Sequence, residues 1–327
     1  MKLGSFDVPT PLGPQRRVGV LSERGVVDLP GAVALLLAQE GQPPALAEAW
    51  IPTDMTAFLE RGPAALALAR RAVEHLLAQP DPLARCSPSG GQLIFPPDEV
   101  QLRAPLPRPN SLRDFMAFED HARAGAQRRG EALAEAWYQQ PLYYKGNHRA
   151  IVGPDEDVEW PAYSERLDFE LEVACVIGRP GRDIPAEQAE EYIAGYTILN
   201  DWSARDIQRV EMLGRLGPAK GKDFATSLGP WLVTPDEVGD LTTLRLVARV
   251  NGEVWFAGQF GRIYWSFPQM IAHVSRGEWL YPGDVLGSGT HYGGCGLDLD
   301  RWIQPGDVVE LEVDRLGVLR NRVVKRG

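Results

Sequence analysis

The chain has 327 residues, 44% of them hydrophobic and 24% charged, the composition of an ordinary globular protein with one large domain or a medium domain and a smaller partner. Its 44 acidic and 34 basic residues leave a formal net charge of -10 with no Lys/Arg run, which excludes a nucleic-acid surface as the main function. Cys86, Cys175 and Cys295 are far apart with no Cys-x-x-Cys pair, which excludes a zinc ribbon or thioredoxin-type site; with no signal-like N-terminus and no long apolar run, the expectation is a cytoplasmic protein without a membrane partner.

Residues 1–100 predict a small N-terminal accessory domain. Short strands over 17–21 and 26–29 precede helices over 31–39 and 55–79, and a Pro/Ser/Gly-rich stretch over 80–91 breaks the pattern. The catalytic domain is expected over 101–327. Asn110 or Ser111 predicts a cap for a helix from 112 to about 129. On such a helix Asp114 and His121, two turns apart, share one face and set a carboxylate ligand beside a general base; a surface helix with scattered charges is the plainer alternative. The segment 131–139, between Gly130 and Pro141, predicts a mobile lid. Further strands are expected at 149–152, 169–177, 195–200, 230–234, 243–250, 284–288 and 307–314, with helices at 186–193, 202–212 and 266–275. Strands outnumber helices without regular alternation, so the fold class is a mixed, β-rich α+β arrangement and not a doubly wound sheet.

The run Leu167-Asp-Phe-Glu-Leu-Glu-Val-Ala alternates and then becomes wholly apolar, as a strand entering a core does. Residues i and i+2 of a strand point the same way, so Glu170 and Glu172 project together. Asp201, at the end of another strand-like segment, offers a third carboxylate. Oxygen donors without Cys or His suit a hard divalent cation: magnesium or manganese, with calcium also compatible. A solvated edge strand is the alternative for this pair. Gly217-Pro-Ala-Lys-Gly-Lys-Asp223 lacks the spacing of a phosphate loop, which leaves Lys222 as an anion stabiliser or an exposed turn lysine. No dinucleotide fingerprint and no Gly-x-Ser-x-Gly elbow occurs.

Six segments in order resemble the fumarylacetoacetate hydrolase family: Asp114-Phe-x5-His121, Leu167 to Ala174, Asn200-Asp-Trp-Ser-Ala-Arg-Asp-Ile-Gln208, Gly221-Lys-Asp-Phe-Ala-Thr-Ser, Ser227-Leu-Gly-Pro-Trp231 and Gly287-Ser-Gly-Thr290. The resemblance implies β-sheets rolled into a distorted barrel, and a homodimer. It implies Asp114, Glu170, Glu172 and Asp201 as ligands of Mg2+ or Mn2+, and His121 as a water-activating base oriented by Asp298. Lys222, Gln208 and Thr290 fall at substrate- or oxyanion-contacting positions and Tyr144 at a substrate-facing one. Arg128 or Arg129 aligns with a substrate arginine, and Met212 stands where some members carry a substrate-contacting tyrosine. The implied activity is metal-dependent hydrolysis of a carbon–carbon bond in a 1,3-diketo acid, an acylpyruvate or fumarylacetoacetate-like compound. The alternative is decarboxylation, hydration or isomerisation of a 2-oxo acid through the same enolate, and a non-catalytic metal-stabilised binding protein is the rival of another class.

Overall fold

The computed structural model describes residues 1–10, 12–261 and 263–325. It is a strand-rich α+β fold. A 12-stranded sheet carries, from one end to the other, Ile94–Phe95, Gly25–Asp28, Gln15–Ser22, Lys2–Val8, Thr226–Val233, Ile193–Asn200, Leu171–Ile177, Asp284–Gly287, Ser111–Phe115 and Tyr143–Lys145. Gln101–Arg103 and Ile151–Val152 pair off this path. A 5-stranded sheet (Glu253–Gln259, Arg245–Val250, Val308–Val313, Gly317–Val324, Asp157–Glu159) packs against it. Two small two-stranded sheets complete the set among the described residues; the expected mixed, β-rich α+β class holds, with the rolled sheets open and not closed into a barrel.

Side-chain alternation divides the interior in two. In Leu171–Ile177 the odd positions Leu171, Val173, Cys175 and Ile177 join the core shared with the smaller sheet, through Leu246, Ala248, Leu311 and Val313. The even positions Ala174 and Val176 join a second core with the N-terminal helices Leu29–Gln39 and Gly62–Leu77, which supply Leu36, Leu37, Ala69 and Leu76. A strand apolar on both faces is thereby explained: each face meets a different layer.

The large sheet runs across residue 100. Lys2–Val8 pairs antiparallel with both Gln15–Ser22 and Thr226–Val233, and Gln101–Arg103 pairs with Lys2–Val8. The single helix expected over 55–79 is two, Met55–Glu60 and Gly62–Leu77. Gly62 (φ 73°) turns the chain at the join and Pro63 occupies the first turn of the second helix, where its missing N–H costs nothing. The helix expected from 112 is corrected more sharply. Ser111–Phe115 is a strand, paired parallel with Asp284–Gly287 and antiparallel with Tyr143–Lys145, and the helix begins only at Glu119. Pairing with strands distant in sequence overrides the local helical pattern.

Candidate active site

Register, and not helical phase, assembles the carboxylates. Ala174 stands opposite Gly287 and Gly287 opposite Asp114, while Asp114 faces Tyr144 on its other side. Asp114 and Glu172 therefore flank the missing side chain of Gly287: a Cβ there would lie 2.5 Å from Asp114 Oδ1 and 2.9 Å from Glu172 Oε2. Glu170 lies one residue before its strand, held by a bridge to Cys295, and Asp201 one residue beyond Ile193–Asn200, whose end pairs with Leu171. One oxygen from each of Asp114, Glu170, Glu172 and Asp201 falls within 4.8 Å of all the others, and all four side chains are buried. Asp114 thus joins the cluster as expected, but from a strand and not from the helical face it was to share with His121.

Buried carboxylates need compensation. Lys222 Nζ donates to Glu170 at 2.6 Å and to Asp201. Arg205 Nη2 donates to Glu170 at 2.8 Å and to Asp168 at 2.7 Å, and its Nη1 donates to Gln208 at 3.1 Å. Burial pushes the Glu170 carboxyl up, but Arg205, Lys222 and His121 together outweigh it and hold the group below the usual range. Asp114 and Glu172 lack such partners: burial, and then the charges of their carboxylate neighbours, push both well above it. Burial also raises Asp201, against the pull of Lys222. Asp114 Oδ1 and Glu172 Oε1 have no hydrogen-bond partner. Two orphaned oxygens of one cluster fit a divalent cation with an all-oxygen donor set.

At the rim stands a dyad. His121, on the helix Glu119–Arg128, places Nδ1 2.9 Å from Asp298 Oδ2, and its Nε2 is 4.0 Å from Glu170 Oε1. Burial raises the Asp298 carboxyl, but the imidazole, the Gly293 amide and Arg128 reverse this and hold it at about 2. An ionised carboxylate only accepts, so Nδ1–H donates to Asp298 and Nε2 is the ring nitrogen turned toward the basin. The aspartate in place of a longer glutamate reaches the histidine without difficulty.

The other predicted residues fare unequally. Tyr144 donates to Asp201 at 2.7 Å and Gln208 is oriented by Arg205, so both adjoin the cluster. The Thr290 hydroxyl is engaged by the Leu171 carbonyl at 3.0 Å. Arg128 donates from Nη2 to Asp298 at 2.6 Å, which puts it beside the His121–Asp298 dyad, and Arg129 pairs through Nε with Glu131. Met212 lies toward the end of the helix Arg205–Leu213 and is 46% exposed, with Val210 and Leu213 of the same helix also exposed. The segment expected as a lid has one anchor. Trp137, in the middle of it, is fully buried, donates from Nε1 to the Met116 carbonyl at 2.7 Å and packs 4.7 Å from the Tyr264 ring. Sequence reasoning missed Arg205 and Asp168. An arginine inside a motif beside two acidic strands was the available signal for the first; nothing local signalled the second.

The family model described as Fumarylacetoacetate (FAA) hydrolase C-terminal matches residues 111–324. A bovine protein named mitochondrial oxaloacetate tautomerase FAHD2A is 32% identical over 330 residues, covering 99% of this chain and 92% of its own. Among solved structures, maleylpyruvate hydrolase from Sphingobium sp. SYK-6 matches with TM-score 0.69 at 25% identity, covering 100% of both chains. The 5-carboxymethyl-2-hydroxymuconate delta-isomerase from Mycobacterium smegmatis matches with TM-score 0.66 at 26% identity, again over 100% of both. No helix among the described residues is long and apolar enough to cross a membrane.

Proposed function

Because the chain belongs to the fumarylacetoacetate hydrolase family, we propose that it is a metal-dependent enzyme that moves a proton beside the ketone of a small 2-oxo diacid, a keto–enol tautomerase of oxaloacetate-type substrates. The observation that carries this reading is the His121–Asp298 dyad beside four buried carboxylates. The name of the bovine relative supports the substrate class. Asp114, Glu170, Glu172 and Asp201 would hold magnesium or manganese, which supplies positive charge that draws in a 2-oxo acid and acidifies the carbon next to its ketone.

The chain's own residues then divide the work. Asp298 fixes the imidazole with Nδ1–H toward itself, and His121 Nε2 takes a proton from carbon and returns it to the oxygen, converting keto to enol without net gain or loss. Lys222 and Arg205 keep Glu170 ionised, and Lys222 with Tyr144 sets the orientation of Asp201. Gln208, whose amide oxygen accepts from Arg205, would offer its amide N–H groups to the substrate.

Hydrolysis of a 1,3-diketo acid is the second reading, since the same Nε2 can take a proton from water as readily as from carbon. A substrate panel separates the two. The purified protein with manganese is expected to accelerate decay of the enol absorbance of oxaloacetate and to release little pyruvate from acylpyruvates or acetoacetate from fumarylacetoacetate. His121→Ala should lower turnover roughly 100-fold or more with metal affinity little changed. Efficient cleavage without tautomerisation would replace the first reading by the second, and collapse of metal binding in the variant would make His121 a ligand or a structural residue.

A further inference from the structure

The base belongs to a second group of donors with different chemistry. A ring nitrogen of His121, Sγ of Cys295 and a carboxylate oxygen of Asp298 lie within 4.8 Å of one another. The carboxylate basin offers only hard oxygen, whereas nitrogen, sulfur and oxygen together suit a borderline-soft ion such as zinc. Cys295 is a free thiol, fully buried, and no step of proton transfer uses it.

All three donors are held before any ion arrives. The Cys295 backbone bridges to Glu170 and Asp298 is fixed by Arg128 and the Gly293 amide. His121 is held by Asp298. Zinc ligands at 2.0–2.3 Å in a tetrahedron stand roughly 3.3–3.7 Å apart. The 2.9 Å between His121 and Asp298 therefore has to open by only a few tenths of an ångström.

We propose that His121, Cys295 and Asp298 form a second, inhibitory metal site for zinc, with water as fourth ligand. Binding releases the thiol proton to solvent and leaves a zinc-bound thiolate. Whichever ring nitrogen binds the ion, Nε2 ceases to be a base: it is coordinated itself, or it carries the ring's single proton while Nδ1 is coordinated. The inhibition rests on the proposed role of His121; occupation of the site does not.

The test starts from Cys86→Ser protein, to remove the exposed thiol, loaded with excess manganese. Zinc should abolish turnover in a way that more manganese does not reverse. Cys295→Ser and Cys295→Ala should keep basal turnover and need at least tenfold more zinc for the same inhibition. Cobalt, added in place of zinc, should give a thiolate-to-cobalt charge-transfer band in the parent and none in either variant, and this readout needs no activity. Absence of the band in the parent, or equal zinc inhibition in parent and variants, would overturn the proposal.

Discussion

At the scale of single residues, Gly287 sets the shape of the carboxylate basin. Its φ is unremarkable; what matters is the space, since any Cβ would press on Asp114 and Glu172. Gly287→Ala is therefore expected to displace one of these two carboxylates, each of which has an unpartnered oxygen, and to weaken manganese binding at least tenfold by calorimetry. Gly306→Ala is a control for backbone effects, because its φ is 97° with open space around it: it should cost stability and leave metal affinity alone. Equal loss of affinity in both would show that the basin is insensitive to this contact.

At the scale of elements, two segments carry testable consequences. Trp137 anchors the stretch Glu135–Gln139, and its removal leaves a large cavity and frees the Met116 carbonyl, two residues from Asp114. Trp137→Ala should destabilise by about 3–5 kcal/mol, seen as a lower melting temperature, and should make the chain between 129 and 140 the first site of proteolysis. Asp28 caps the helix Leu29–Gln39 through the Gly31 amide. Burial pushes its carboxyl up to about 6, against smaller opposing effects of Arg17 and the Gly31 amide. A raised acid favours the folded state while protonated, so this contribution is present below about pH 4 and is lost as pH rises toward about 6. Asp28→Asn keeps a capping oxygen without the charge. Its stability advantage should reach the order of 2 kcal/mol at pH 7.5 and fade at pH 4; an advantage independent of pH would contradict this. Elements such as Leu171–Ile177 were legible in the sequence because seven apolar or paired positions repeat locally. Lys2–Val8 was not, since Gly4, Ser5 and Asp7 make it look like a loop; its strand character comes from three partners elsewhere in the chain. The same limit explains the site. Glu170 and Glu172 were readable from spacing, whereas the conformation of Asp114 and the nearness of Cys295 to His121 depend on pairings between distant segments.

At the scale of the whole molecule, four buried carboxylates face one lysine and an arginine shared with Asp168, so the protein without metal carries uncompensated repulsion at its centre. A cation that binds only the folded chain stabilises it by about 2.7 kcal/mol at a hundredfold excess over its Kd. Chelation is expected to abolish turnover and lower the melting temperature, with magnesium or manganese restoring both; full activity in a verified metal-free sample would contradict the proposed function. The place of Lys2–Val8 in the sheet has a consequence for biosynthesis. Leu3 is paired with Leu232, and at about 5–20 residues per second translation separates them by roughly ten seconds to most of a minute. Gln101–Arg103 can cover the edge at Ser5–Asp7 earlier, but the edge at Lys2 and Leu3 and the strand's apolar face wait for the whole interval, so the nascent chain depends on chaperones or on its hairpin with Gln15–Ser22 to stay unaggregated. The sheet that carries Asp114, Glu172 and Asp201 can close only late in synthesis or after it.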